Sequence, residues 1–180
     1  MRNLKIHLLI TVLSFCLSSF CYAADEKASL YDLPIEFQTD SGKKVKLENW
    51  KGRPLVVTMA FTSCQFACPL MMKTLQKLQK AFDERKRDAD FLIISFDPEN
   101  DTVSALAKYR RTTKLDFKNW TFLTGTEADT RKIAMVLGIR YNKNPESGAI
   151  SHDNKVLIIN AKGETEKELI GLNIDPKDAF

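Results

Sequence analysis

Two periodicities alternate along the chain. Ile35-Glu36-Phe37-Gln38-Thr39 alternates apolar with polar residues, as does Val45-Lys46-Leu47, and Asp40-Ser41-Gly42 lies between them. Period-two segments on either side of a turn triplet predict a small hairpin. Trp50-Lys51-Gly52-Arg53 reads as a turn, and 54–61 is a near-continuous apolar run, the pattern of a central strand covered on both faces. From Pro69 the period becomes helical. Met71, Leu75, Leu78 and Phe82 fall at i, i+4, i+7 and i+11, one stripe of a helix ending near Arg87.

A second buried strand covers 91–96. Asp97-Pro98-Glu99-Asn100-Asp101-Thr102 then breaks the pattern and caps a helix through Val103, Leu106 and Tyr109. A short strand at 120–123 follows, then a helix over roughly 128–137 that stops at Gly138. Residues 143–151 read as a turn-rich loop, 156–159 as a strand, 160–163 as a turn and 166–170 as a weaker closing strand. No internal repeat is visible. This alternation of strand and helix, closed by an antiparallel hairpin, predicts one α/β domain. It has a central mixed β-sheet flanked by helices and an N-terminal β-hairpin.

The start of the chain departs from this pattern. Arg2 and Lys5 precede a mainly apolar stretch at 8–17, and Cys21-Tyr22-Ala23 carries small residues at both positions inspected by a signal peptidase. This is the three-part pattern of a secretory signal peptide, so residues 1–23 are expected to be a leader and 24–180 the mature domain. An uncleaved anchor is the alternative, and spanning needs about 20 apolar residues. A lipoprotein fits less well, because bulky Phe20 stands where a small residue would precede Cys21. Residues 24–33 read as a polar, flexible entry.

Composition adds exclusions. The chain has 180 residues, 44% hydrophobic and 28% charged, with seven Gly and six Pro. That is an ordinary globular profile, neither collagenous nor low-complexity. The formal charge of +4 falls to +2 once Arg2 and Lys5 leave with the leader, too near neutral for a nucleic-acid partner. The runs Arg85-Lys86-Arg87 and Tyr109-Arg110-Arg111 read as solvated surface. Of four Cys and two His, cleavage removes His7, Cys16 and Cys21. Cys64, Cys68 and His152 remain, in a periplasmic or otherwise exported, oxidising compartment.

Cys64-Gln65-Phe66-Ala67-Cys68-Pro69 lies between a buried strand and the start of a helix. Backbone dipoles there favour thiolate over thiol, and Pro69 is tolerated in a first helical turn. A thiolate is both the nucleophile of disulfide exchange and a soft ligand for copper or zinc. Three residues between the cysteines permit a disulfide, and they also let the sulfurs diverge around a metal ion. Buried core cysteines are the plain alternative.

His152 ends the loop before the strand at 156–159, which in such a sheet can lie beside the strand ending at Phe61. Two thiolates and an imidazole then suit Cu(I), or Cu(II) with added ligands. A four-ligand zinc site lacks donors. Met71 and Met72 are candidate thioether ligands, and Met71, on the helix stripe, is expected in the core. Asp97 and Asp101 read as turn and capping residues before they read as an acidic edge.

These residues resemble the Sco/SenC family, the thioredoxin-like copper proteins of cytochrome c oxidase assembly. The resemblance covers about 30–170. Its anchors are Phe61-Thr62-Ser63-Cys64 through Cys68-Pro69, then Ile94-Ser95-Phe96-Asp97-Pro98-Glu99-Asn100-Asp101-Thr102, then Ser151-His152. It implies a thioredoxin-like fold, with copper as Cu(I) or Cu(II) held by Cys64, Cys68 and His152. It also implies delivery to the copper-site subunit of the oxidase, a membrane-associated partner, or to another periplasmic copper protein, by a monomeric chaperone.

Reduction of the target's cysteines before loading is a further implied role. Gln65 differs from the proline that often follows the first cysteine in the family. Many members carry an N-terminal membrane helix where this start looks cleavable. Another usual feature is a helix after the closing hairpin, and Phe180 here stands ten residues past Ile170. The rival class is an exported thiol–disulfide oxidoreductase with Cys64 nucleophilic and Cys68 resolving. A peroxidase of the same architecture is a third, weaker reading.

Overall fold

A computed structural model describes residues 29–180; the leader expected at 1–23 lies outside them. The strands are β1 (Glu36–Thr39), β2 (Lys44–Lys46), β3 (Leu55–Ala60), β4 (Asp90–Ser95) and β5 (Trp120–Thr124). They continue with β6 (Tyr141–Lys143), β7 (Ile150–His152), β8 (Lys155–Ile159) and β9 (Thr165–Ile170). The helices are α1 (Ala67–Glu84), α2 (Val103–Thr112) and α3 (Glu127–Val136). Seven strands form one sheet in the order β2-β1-β5-β4-β3-β8-β9, and β6 and β7 pair separately.

The sheet is mixed, as the sequence predicts. β3 runs parallel to β4, and β4 to β5, through helical crossovers. β8 lies antiparallel to β3, with Thr58 opposite Val156. Every residue of β3 is buried, as the continuous apolar run requires. Its alternate side chains divide the core: Val57 and Met59 face one side, Val56 and Ala60 the other. The second side is covered by the α1 stripe, in which Met71, Leu75, Leu78 and Phe82 are all buried, and by Leu106 of α2. Ile133 and Ala134 of α3 cover the first.

Three local expectations are corrected. α1 begins at Ala67 rather than at Pro69. The first helical N–H groups have no intrahelical acceptor, so a proline fits anywhere in that turn. The loop expected at 143–151 is the tip of the β6–β7 hairpin, with Tyr141 opposite His152 and Lys143 opposite Ile150. The entry is ordered through 30–32, a short 3-10 turn that buries Leu30 and Tyr31.

Candidate metal and thiol site

The site sits where β3 ends and α1 begins. Phe66, the N-cap of α1, supplies no capping side chain. The Cys64 sulfur takes that place and accepts the Cys68 N–H at 3.3 Å, while the Cys64 N–H bonds the Phe61 carbonyl. The sulfur therefore faces the positive end of an 18-residue helix. Both cysteines are free thiols.

Their electrostatics differ. Burial alone raises the Cys64 pKa, but hydrogen bonds from the amides of Cys68, Phe66 and Ala67 and from the Cys68 thiol outweigh it, and the net shift is downward. Cys68 is only 2% exposed. Burial pushes its thiol up to about 12, and the nearby Cys64 and Asp101 charges push the same way against a backbone hydrogen bond with Phe61. The helix amides ease ionisation of one sulfur, and burial opposes ionisation of the other.

The loop between β3 and Cys64 is tied down by Asp101, which is buried. Its carboxylate accepts the Thr62 N–H at 3.2 Å, the Thr62 hydroxyl, and the Ser95 hydroxyl at 2.6 Å. Burial raises the Asp101 pKa, and the Ser95 and Thr62 hydrogen bonds oppose the rise. The capping role falls instead to Thr102, whose hydroxyl accepts the Ala105 N–H. Asp97, also buried, shapes the turn through its carbonyl, which accepts the Asn100 and Asp101 amides. Its carboxylate accepts from Asn100 at 2.7 Å and from Lys143 at 2.8 Å. Met71 and Met72 are both core residues, 3% exposed.

His152 is half-buried at the end of β7. Its ring lies 4.6 Å from that of Phe96 and edge-on to that of Phe61 at 5.8 Å. Nδ1 sits 2.9 Å from the Asp153 carbonyl. A carbonyl only accepts, so Nδ1 is the donor; in the neutral ring this leaves the lone pair on Nε2, the atom by which such an imidazole ligates.

The structure thus brings the two cysteines together and sets His152 beside Phe61, three residues before Cys64. Among the described residues no three His, Cys, Asp or Glu side chains stand in an arrangement that holds a metal as it is. The donor set nonetheless suits a soft metal: two sulfurs, one with its ionisation eased by helix amides, and an imidazole whose Nε2 is left open by the Nδ1 contact. Thr62, the Asp101 clamp and Lys143 are contributors that the sequence reading did not single out in these roles. The Thr62–Asp101 and Lys143–Asp97 contacts pair side chains 39 and 46 positions apart, which leaves no periodic signal.

A mixed sheet with helices on both faces, and a cysteine pair at the first strand–helix junction, define a dithiol protein of thioredoxin-like architecture. Residues 23–178 match the SCO1/SenC family, and the chain belongs to that family. It is 31% identical over 147 residues to the SCO1 protein homolog of Bacillus subtilis, covering 81% of this chain and 76% of that one. A SCO1/SenC family lipoprotein from Bacillus anthracis superimposes with a TM-score of 0.75 at 30% identity, covering 87% and 94% of the two chains.

BsSco, a member of the Sco family of cytochrome c oxidase assembly proteins in which a disulfide switch is identified, gives 0.72 at 29%, covering 85% and 91%. The copper-bound ScoI of Arabidopsis thaliana shares the fold, with a TM-score of 0.71 at 24% identity over 82% and 91%.

Proposed function

We propose that the chain is an exported copper chaperone of the cytochrome c oxidase assembly type, with copper as its cargo. Cys64, Cys68 and His152 supply the donors. The observation that carries the reading is the prepared state of those donors. The α1 amides stabilise the Cys64 thiolate, and the Asp153 carbonyl fixes His152 in the tautomer whose Nε2 is free to ligate. Cys68 binds by giving up its proton as the cation's charge arrives. Membership of the family, and the relatives' association with copper and oxidase assembly, support the same assignment. The leader pattern at 1–23, ahead of a mature domain at 24–180, supports export.

The unequal cysteines also favour a second role for the same pair. The Cys64 thiolate attacks a partner disulfide and forms a mixed disulfide. Cys68, after losing its proton, attacks Cys64 Sγ and releases the partner as two thiols, so two electrons pass to the partner and a Cys64–Cys68 disulfide remains. A disulfide has no thiolate to offer a metal, so thiol reduction and copper holding alternate on this chain.

Equilibrium copper binding by the reduced mature chain tests the reading. Wild type should bind one equivalent. His152→Ala should weaken binding by at least about tenfold, the loss of one ligand costing 1.4 kcal/mol or more. Cys64→Ser or Cys68→Ser should abolish tight binding. Unchanged affinity in His152→Ala, alongside efficient disulfide reduction by wild type, would leave the oxidoreductase reading in possession.

A further inference from the structure

The β6–β7 hairpin bonds to no strand of the main sheet, so something else must set where it carries His152. Directly opposed residues of an antiparallel pair share a face, as do alternate residues of one strand. Tyr141, Lys143, Ile150 and His152 therefore lie on one face of the hairpin, and all four are half-buried, whereas Asn142 and Ser151 on the other face are exposed. The buried face meets the segment after β4. Tyr141 and His152 pack on the Phe96 ring. Lys143 Nζ donates to Asp97 Oδ1 at 2.8 Å and to Glu99 Oε2 at 3.0 Å. At the base, the exposed Arg140 side chain pairs with Asp153.

The two ends of the Lys143 contact are unequal. The Asp97 side chain is 5% exposed and Glu99 is 79% exposed, so the Asp97 half, a charge-assisted bond to a buried acceptor, is the stronger. An open groove of about 860 Å³ flanks this contact, lined by Asp97, Glu99, Tyr141 and Lys143 among others. The position so fixed is one in which His152 and the two sulfurs do not form a metal-holding set.

We propose that Lys143 is a positioning residue for His152: its ion pair with Asp97 and Glu99 clamps the β6–β7 hairpin with His152 on Phe96, and opening the clamp lets His152 reach the cysteines. The residues that bind the hairpin down are then distinct from those that bind copper. The copper half of this inference rests on His152 being a ligand.

Amide hydrogen exchange of the reduced, metal-free chain tests the clamp without reference to copper. Lys143→Met should speed exchange of the Asn144 and Asp153 amides, which bond within the hairpin and at its base, at least tenfold. Amides of β3 and β4 should not change, and Lys143→Arg should restore protection. Glu99→Gln, at the exposed end of the contact, should show a smaller increase and serves if Lys143→Met does not fold. Unchanged hairpin exchange in the folded variants overturns the clamp.

Stopped-flow mixing with aqueous Cu(II), read by the thiolate charge-transfer absorption, tests the consequence. Lys143→Met should capture the ion several-fold faster than wild type. Capture at the wild-type rate or slower, despite faster exchange, overturns the positioning role. If His152→Ala captures and holds Cu(II) as wild type does, the ligand reading fails and takes the copper half with it, while the exchange result still decides the clamp.

Discussion

Cys64 accepts an amide hydrogen bond from Cys68, and this contact, with the neighbouring amides and the burial of Cys68, separates the chemistry of the pair. It turns Cys64 toward the helix amides and leaves Cys68 behind it among Ala60, Met72 and Leu75 in the core. Alkylation by iodoacetamide, followed by mass spectrometry across a pH series, should modify Cys64 first, with a midpoint below that of an ordinary thiol. Cys68 should resist until the protein unfolds, since its thiol is pushed up to about 12. Equal labelling at neutral pH would contradict the asymmetry.

The same shifts link to stability. A depressed Cys64 pKa favours the fold above its unfolded value, and that contribution is lost as pH falls through the folded one. The raised Cys68 value has the opposite consequence. Stability is full below its unfolded value near 9.0 and is lost as pH rises from there toward about 12. Cys68→Ala should remove part of that alkaline loss in denaturant titrations, and an unchanged pH profile would count against the buried thiol as its source.

At the scale of elements, the site is a strand end, a helix start and a hairpin held in register by buried carboxylates. Asp101 joins the loop before Cys64 to β4 through Thr62 and Ser95. Asp101→Ala strands these donors. Because each buried donor without an acceptor costs about 1–3 kcal/mol, urea unfolding should show a loss of roughly 3 kcal/mol. A loss under about 1 kcal/mol would mean that the loop is held by other contacts.

Much at this scale was legible in the sequence. The α1 stripe, the buried β3 and β4 runs and the Gly138 stop each follow from a strong period or a conformational demand. His152 beside the end of β3 follows from β8 pairing with that strand. The β6–β7 hairpin was not legible, because its strands have three residues each and Asn144, Pro145, Ser147 and Gly148 between them read as loop. Pro69 reads as a first helical residue yet sits comfortably further into the first turn, so the sequence places the start of α1 two residues late. The Thr62–Asp101 and Lys143–Asp97 contacts have no local signature, since the topology brings these partners near.

Over the whole molecule, the beginning of the described chain is locked to its closing hairpin. Leu30 N–H bonds the Gly163 carbonyl at 2.8 Å, and Ser29 Oγ donates to the Lys162 carbonyl at 2.6 Å. Gly163 has φ +87°, and an added Cβ would stand 2.7 Å from the Tyr31 ring and 2.2 Å from Ser29 Oγ. Gly163→Ala should therefore cost roughly 1–2 kcal/mol from the left-handed backbone and more from the displaced turn. Thermal unfolding should show a clearly lowered Tm, and an unchanged Tm would show that this junction yields freely.

Cys64, Cys68 and His152 come from the β3–α1 loop, the first turn of α1 and the end of β7, and the proposed function has them converge on one copper ion. X-ray absorption at the copper edge of the reduced, loaded chain tests it most directly. Two sulfur scatterers and one imidazole nitrogen are predicted for wild type, with the imidazole signature lost in His152→Ala. A wild-type spectrum without imidazole, or one unchanged in His152→Ala, would contradict the site.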